Sequence, residues 1–265
     1  MLIAALPMYD FDELREATDA LWSAIASRLG PTAPASLSRG ADPEQYWADP
    51  DLLLGQTCGY PLVTSLRGKV TLLATPHYRA AGCTGALYRS AVVVRAGDPA
   101  QSLADLRGRI CAVNDPASNS GMNLLRAAIA PLAAGSTRFF GGIVMTGDHV
   151  GSIRAVAEGR ADVASIDCVT WAHVGHLRPS ETIGLRVLTW TEANPGLPLV
   201  TSVHTAAPVR RALLRALHEV ANDPTLAPVR DALRLEGFEP PTLNAYDAVL
   251  TIERRAQAAG YGVLQ

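Results

Sequence analysis

The run Ile110-Cys111-Ala112-Val113-Asn114 reads as a strand, and Met122, Leu125, Ile129 and Leu132 fall on one face of a helix. Between them lies a polar turn, Asp115-Pro116-Ala117-Ser118-Asn119-Ser120-Gly121. A strand followed at once by a polar helix start limits this part of the chain to an α/β unit. The first amides of a helix have no backbone partner and carry partial positive charge. Ser118 and Ser120 add hydroxyl donors, Asn119 adds an amide, and Gly121 permits close approach to the backbone. The turn suits an oxyanion held without a full positive charge. The same residues also serve as an ordinary N-cap cluster, and both readings stand at this point.

The pattern recurs. Residues 2–8 read as a buried strand, after which Asp10 and Glu13 suit a capping box ahead of the face Leu14, Ala17, Leu21 and Ile25. Residues 31–50 read as a loop, 51–56 as a strand, 70–75 as a strand closed by Pro76, and 88–95 as a β-rich run. A second block follows, with a helical turn at 102–106, strands at 110–114, 139–145, 161–167 and 185–191, and helices between them. A last strand is expected at 199–204, with helices over 207–221, 225–235 and 242–258. Alternation of this kind indicates parallel-type α/β sheets. Two blocks suggest two lobes joined by two connecting strands, the first formed by 1–90 plus 191–265 and the second by 91–190.

Ligands of such sheets bind beyond the carboxyl ends of strands. Tyr9, Gln56, Ser118 to Gly121, His149 and Asp167 all fall there. In Thr146-Gly147-Asp148-His149 the histidine can donate to an anion or stand as a capping residue. Asp167 can accept the proton of a monoprotonated oxyanion, pair with an amine, or cap the helix after it. Tyr88 opens a strand between the lobes, as a hydroxyl donor or a packed core tyrosine.

Composition excludes other classes. A net charge of -2 and 6% aromatic residues offer nucleic acid neither a basic nor a stacking surface. No apolar run reaches the ~20 residues of a membrane span. Met1 leads directly into an apolar run without a basic n-region or cleavage site, which suits a cytoplasmic chain as it stands, or a periplasmic or extracellular one whose leader has been removed. The four cysteines form no CxxC pair. Cys58 and Cys83, both in Gly-rich loops, could pair in an exported chain, but free thiols are the expectation. Gly82-Cys83-Thr84-Gly85 resembles a nucleophile turn without a readable triad. His173 and His176 lack a third ligand, and neither metal nor cofactor is expected.

Taken together, the chain resembles the phosphate/phosphite/phosphonate substrate-binding proteins of ABC transporters. The resemblance rests on Gly55-Gln56, Gly85 through Tyr88-Arg89-Ser90, the turn from Asp115 to Gly121, Gly147-Asp148-His149 with Ser152-Ile153, and Ala161-Asp162-Val163-Ala164. It implies a two-lobed type II periplasmic-binding-protein fold, with two hinge strands and an oxyanion captured between the lobes. It also implies a transporter permease as partner. Head-group contacts fall by resemblance on Ser118, Asn119, Ser120, His149 and Tyr88. The family turn often has Thr where Asn119 stands, and often an aromatic where Leu54 stands. Leu197 occupies the region where aminophosphonate binders carry an acidic residue, leaving only Asp167 to meet an amine. Two alternatives share the fold: a cofactor-free lyase or synthase using His149 with Asp167 or Cys83, and a cytoplasmic ligand sensor.

Overall fold

The strand, turn and helix expected over 110–132 are present, with one refinement. Ile110–Val113 is a strand and Leu124–Ala133 a helix, and between them Asn119–Asn123 winds as a single wide π-turn. The computed structural model describes residues 1–265 apart from Ala134, Ser136, Thr137, Pro241 and Leu243. Leu243, within the helix expected over 242–258, therefore lies outside the described residues. The chain divides into two units.

The second unit comprises Ala80–Cys83, Leu87–Asn194 and Tyr246–Gln265. Its five-stranded sheet runs in the order Gly142–Met145, Ile110–Val113, Val163–Asp167, Ser90–Arg95, Leu185–Trp190. The first three strands are mutually parallel, and Ser90–Arg95 is antiparallel to both of its neighbours. Val92, Val94, Cys111, Val113 and Val163 of the sheet pack with Leu125 and Ile129 of the helix. Burial of each such side chain contributes about 1.5–3 kcal/mol. Phe139 and Phe140, expected to begin a strand, instead enter this core as an edge-to-face pair with ring centroids 5.1 Å apart. Pairing starts only at Gly142.

The first unit comprises Met1–Arg79, Thr84–Ala86 and Pro195–Ala245. Its sheet order is Ile3–Ala5, Leu52–Gln56, Leu199–Ser202, Val70–Tyr78, Leu235–Glu239. The first pair is parallel and the remaining pairs are antiparallel. Helices Arg15–Leu29 and Ala207–Asn222 pack together, burying Trp22, Ile25, Leu213, Leu217 and Val220.

Several expectations are corrected. Both sheets are mixed rather than purely parallel: in the first unit the late strands Leu199–Ser202 and Leu235–Glu239 run against their neighbours, and in the second the early strand Ser90–Arg95 runs against both of its neighbours. The strand Val70–Tyr78 continues through Pro76. Leu199–Ser202 pairs only with residues up to Ala74, so Pro76 faces a partner on one side, where its missing N–H is tolerated. Pro43–Trp47 forms a short helix inside the expected loop, capped by Asp42. Asp10 caps no helix; its carboxylate receives Arg39 Nε at 2.9 and 3.1 Å. Leu235–Glu239 is a strand where a helix was expected to end, preceded by Arg234 at φ 55°, which breaks the helical path.

Residues 191–265, all expected in the first lobe, are divided: Pro195–Ala245 lies in the first unit and Tyr246–Gln265 in the second. The cause is packing. Ala256, Tyr261 and Leu264 enter the second core, Asn123 Nδ2 donates to Val249 O at 3.1 Å, and Phe139 N donates to Gln265 O at 2.7 Å.

Candidate functional site

In the second unit, Ser118 has extended backbone (φ -75°, ψ 130°) and its Oγ accepts the Gly121 amide at 2.9 Å. This is the N-cap expected of a serine. Its Oγ also lies 3.4 Å from Ser120 Oγ, which lies 2.9 Å from His149 Nε2. Ser165, in the neighbouring strand, donates its hydroxyl to Ser120 O at 2.7 Å and fixes the turn. His149 is the first residue of the helix His149–Ala157, whose cap Asp148 accepts the Gly151 amide at 2.6 Å. Thr146 ties that start to the sheet by donating its amide to Val113 O at 3.0 Å. Two serine hydroxyls and an imidazole are thus brought together.

Burial of the imidazole pushes the His149 pKa from 6.5 down to about 4, with the Asp148 carboxylate opposing only in part. The ring is therefore neutral near neutral pH. Its Nδ1 is buried and has no hydrogen-bond partner among the described residues. A neutral imidazole carries one donor and one acceptor, so the Ser120 hydroxyl can either receive its proton or supply one.

Asn119 faces a different environment from its two serine neighbours. It is 0% exposed, and its Nδ2 donates to Tyr88 Oη at 3.2 Å and to Asn194 Oδ1 at 3.0 Å. Its Oδ1 accepts from Asn123 Nδ2 at 3.0 Å, and Asn123 Oδ1 accepts from Arg126 Nη2 at 2.7 Å. Asn119 and Tyr88 thus belong to a buried amide network that braces the turn. Gly121 has a close neighbour within the second unit. A Cβ there would lie 1.7 Å from Asn114 Oδ1 and 3.2 Å from His149 Cε1, so its missing side chain admits the Asn114 carboxamide.

Asp167 ends Val163–Asp167 and caps Cys168–Leu177, its Oδ1 accepting Val169 N at 2.8 Å and Thr170 N at 2.9 Å. It lies on the sheet register opposite Ser90. Tyr9 and Gln56 lie in the first unit, where both meet Tyr78. Gln56 Nε2 donates to Tyr78 Oη at 3.1 Å, and the Tyr9 and Tyr78 rings stand edge to face at 5.2 Å. Trp47 Nε1 secures the Gln56 backbone at 2.8 Å.

Sequence reasoning missed Tyr78, Asn114, Ser165 and Asn194. A hydroxyl in the middle of an apolar strand was the available signal for Ser165, and an amide before a proline the signal for Asn194. Among the described residues, no group of three metal-ligating side chains occurs, and no helix is long and apolar enough to cross a membrane.

The matching family model is that of the ABC transporter, phosphonate, periplasmic substrate-binding protein, over residues 3–246. A comparison with curated proteins returned no match. Among solved structures, the chain is similar to a binding protein component of an ABC phosphonate transporter from Pseudomonas aeruginosa. That match has a TM-score of 0.80 at 15% identity, covering 98% of this chain and 88% of that one. It is similar to a protein of Prochlorococcus marinus in complex with methylphosphonate, with a TM-score of 0.79 at 14% identity, covering 97% and 98%. A protein of Xanthomonas citri bound to chloride gives a TM-score of 0.74 at 17% identity, covering 98% of both chains. These similarities establish the type II periplasmic-binding-protein fold. With the family model spanning most of its length, the chain belongs to the phosphonate ABC transporter substrate-binding proteins, a family of binding proteins rather than enzymes.

Proposed function

We propose that this binding protein captures a small phosphorus oxyanion, namely a phosphonate, phosphite or phosphate, and passes it to an ABC transporter permease. The head-group site in this reading is the cluster of Ser118, Ser120 and His149 in the second unit. One observation carries it: Ser120 Oγ lies 3.4 Å from Ser118 Oγ and 2.9 Å from His149 Nε2, at a helix start beyond the strand Ile110–Val113. These donors are uncharged, and an anion taken out of water needs nearly complete hydrogen bonding to offset its lost hydration. Neutral hydroxyl and imidazole dipoles meet that need without a fixed cation. Family membership supports the ligand class, and Asn119 and Tyr88 enter as the residues that hold the turn in shape.

The test is thermal shift followed by calorimetry against phosphate, phosphite, methylphosphonate, aminoethylphosphonate, sulfate and small carboxylates, on protein refolded free of carried-over ligand. A ligand of the native state raises Tm by mass action. The expected result is a rise with one or more phosphorus oxyanions and none with sulfate or the carboxylates. A rise with carboxylates alone overturns the ligand class.

A further inference from the structure

The motif Gly82-Cys83-Thr84-Gly85 takes no part in the site above. The Cys83 amide donates to Ala80 O at 3.0 Å and closes a tight turn. Gly82 has φ +97°, and a Cβ there would lie 2.8 Å from the Trp190 ring and 3.0 Å from Cys168 Cβ. Only glycine lets the backbone press so closely on the start of the helix Cys168–Leu177. The result is a thiol pair within the second unit: Cys83 Sγ lies 3.4 Å from Cys168 Sγ. Cys83 is partly exposed and Cys168 is 0% exposed.

We propose that Cys83 and Cys168 form a reversible disulfide that ties the turn at 80–83 to the first turn of the helix beginning at Cys168. A disulfide needs sulfurs about 2.05 Å apart. The thiols are already in contact, so side-chain rotation with a small backbone adjustment suffices. The oxidant is a low-molecular-weight disulfide. The Cys83 thiolate attacks one of its sulfurs, forming a mixed disulfide and releasing one thiol. Cys168 then loses its proton and attacks Cys83 Sγ, releasing the second thiol. The two cysteines lose two protons and two electrons, and one external disulfide becomes two thiols.

The assignment of roles follows from access and charge. The hydrogen bond with Cys83, burial and the neighbouring Asp167 carboxylate all hold Cys168 as a thiol in the reduced protein. Cys83 therefore meets the oxidant first. Once Cys83 is a mixed disulfide, the Cys83–Cys168 hydrogen bond, the largest of these effects, is gone, and Cys168 already lies beside the sulfur it attacks. Crosslinking would pin residue 83, the last before the chain enters Thr84–Ala86 of the first unit, to the helix that Asp167 caps.

The test is incubation of the full chain with oxidised glutathione under native conditions, then alkylation in denaturant, digestion and mass spectrometry. The expected result is one crosslinked peptide joining Cys83 to Cys168, lost on reduction, with Cys58 and Cys111 alkylated. In Cys83→Ser and Cys83→Ala, each confirmed folded by circular dichroism, the crosslink should vanish and Cys168 should be alkylated. Alkylation of all four thiols in the wild type overturns the proposal. So does glutathione retained on Cys83 beside an alkylated Cys168, or a bridge from Cys83 to Cys58.

Discussion

The helices that begin after Ser118 and after Asp167 follow neighbouring parallel strands of one sheet, yet they use their first residues in opposite ways. Asp167 turns its carboxylate onto its own helix, one oxygen accepting two amides at 2.8 and 2.9 Å. Ser118 satisfies one amide, and the next hydroxyl along, Ser120, is directed to His149. Position at a strand end therefore does not by itself set how a helix start is used. Under the function proposed above, hydrogen-bond accounting is what separates the two. It also separates adjacent residues of one turn, since Asn119 makes three side-chain bonds in the interior while the serines on either side form the cluster.

The sharpest way to break this comparison is Asn119→Ala. It takes one hydrogen-bond partner from each of Tyr88, Asn194 and Asn123, and each buried hydrogen bond contributes about 0.5–1.5 kcal/mol net, more where a group is left unsatisfied. We expect a loss of about 3–5 kcal/mol in urea denaturation. A loss below 1 kcal/mol would mean that the network does not brace the turn.

The next effect is on pH dependence. The His149 pKa is about 4 in the folded chain, against 6.5 ordinarily. Between those values the unfolded chain binds the extra proton, so stability rises with pH. The contribution of His149 is complete above pH 6.5 and is lost as pH falls through about 4. Its size is on the order of 3 kcal/mol at most, because the residue as a whole is only partly buried. His149→Gln should flatten the stability profile over that window relative to wild type, measured by denaturation at stepped pH. Superimposable profiles would show that the imidazole titrates as it does in water.

A smaller effect is expected at the other helix start. Asp167→Ala removes a cap worth about 0.5–2 kcal/mol, and Asp167→Asn, which preserves an accepting oxygen, should recover most of it. An Asp167→Asn variant as unstable as Asp167→Ala would show that the charge, rather than the cap, is what the helix uses.

Much of this molecule was legible because its local signals agree with its fold. Apolar spacing located the helix faces at Leu125 and Ile129, and polar residues at strand ends marked the helix starts that Ser118 and Asp167 cap. What escaped was set by distant partners. The stretch before Glu239 has ordinary helix formers in Arg234, Leu235 and Glu236, yet pairing with Thr75 to Tyr78 makes it a strand. The final helix and the tail after it join the second unit through contacts of Asn123 with Val249 and of Arg126 with Gly262, more than a hundred residues away. Nothing local reveals that Asn194, 75 residues on from Asn119, accepts its amide.

If the Ser120 and His149 pair holds the ligand head group, calorimetry on Ser120→Ala will show it. The titrant is the phosphorus oxyanion that binds wild type most tightly. Loss of a hydrogen bond to a charged partner costs about 1.5–3 kcal/mol. Affinity should weaken roughly tenfold to a hundredfold, with a melting temperature in the absence of ligand close to that of wild type. Unchanged affinity in the folded variant would contradict it and move the binding site elsewhere in the chain.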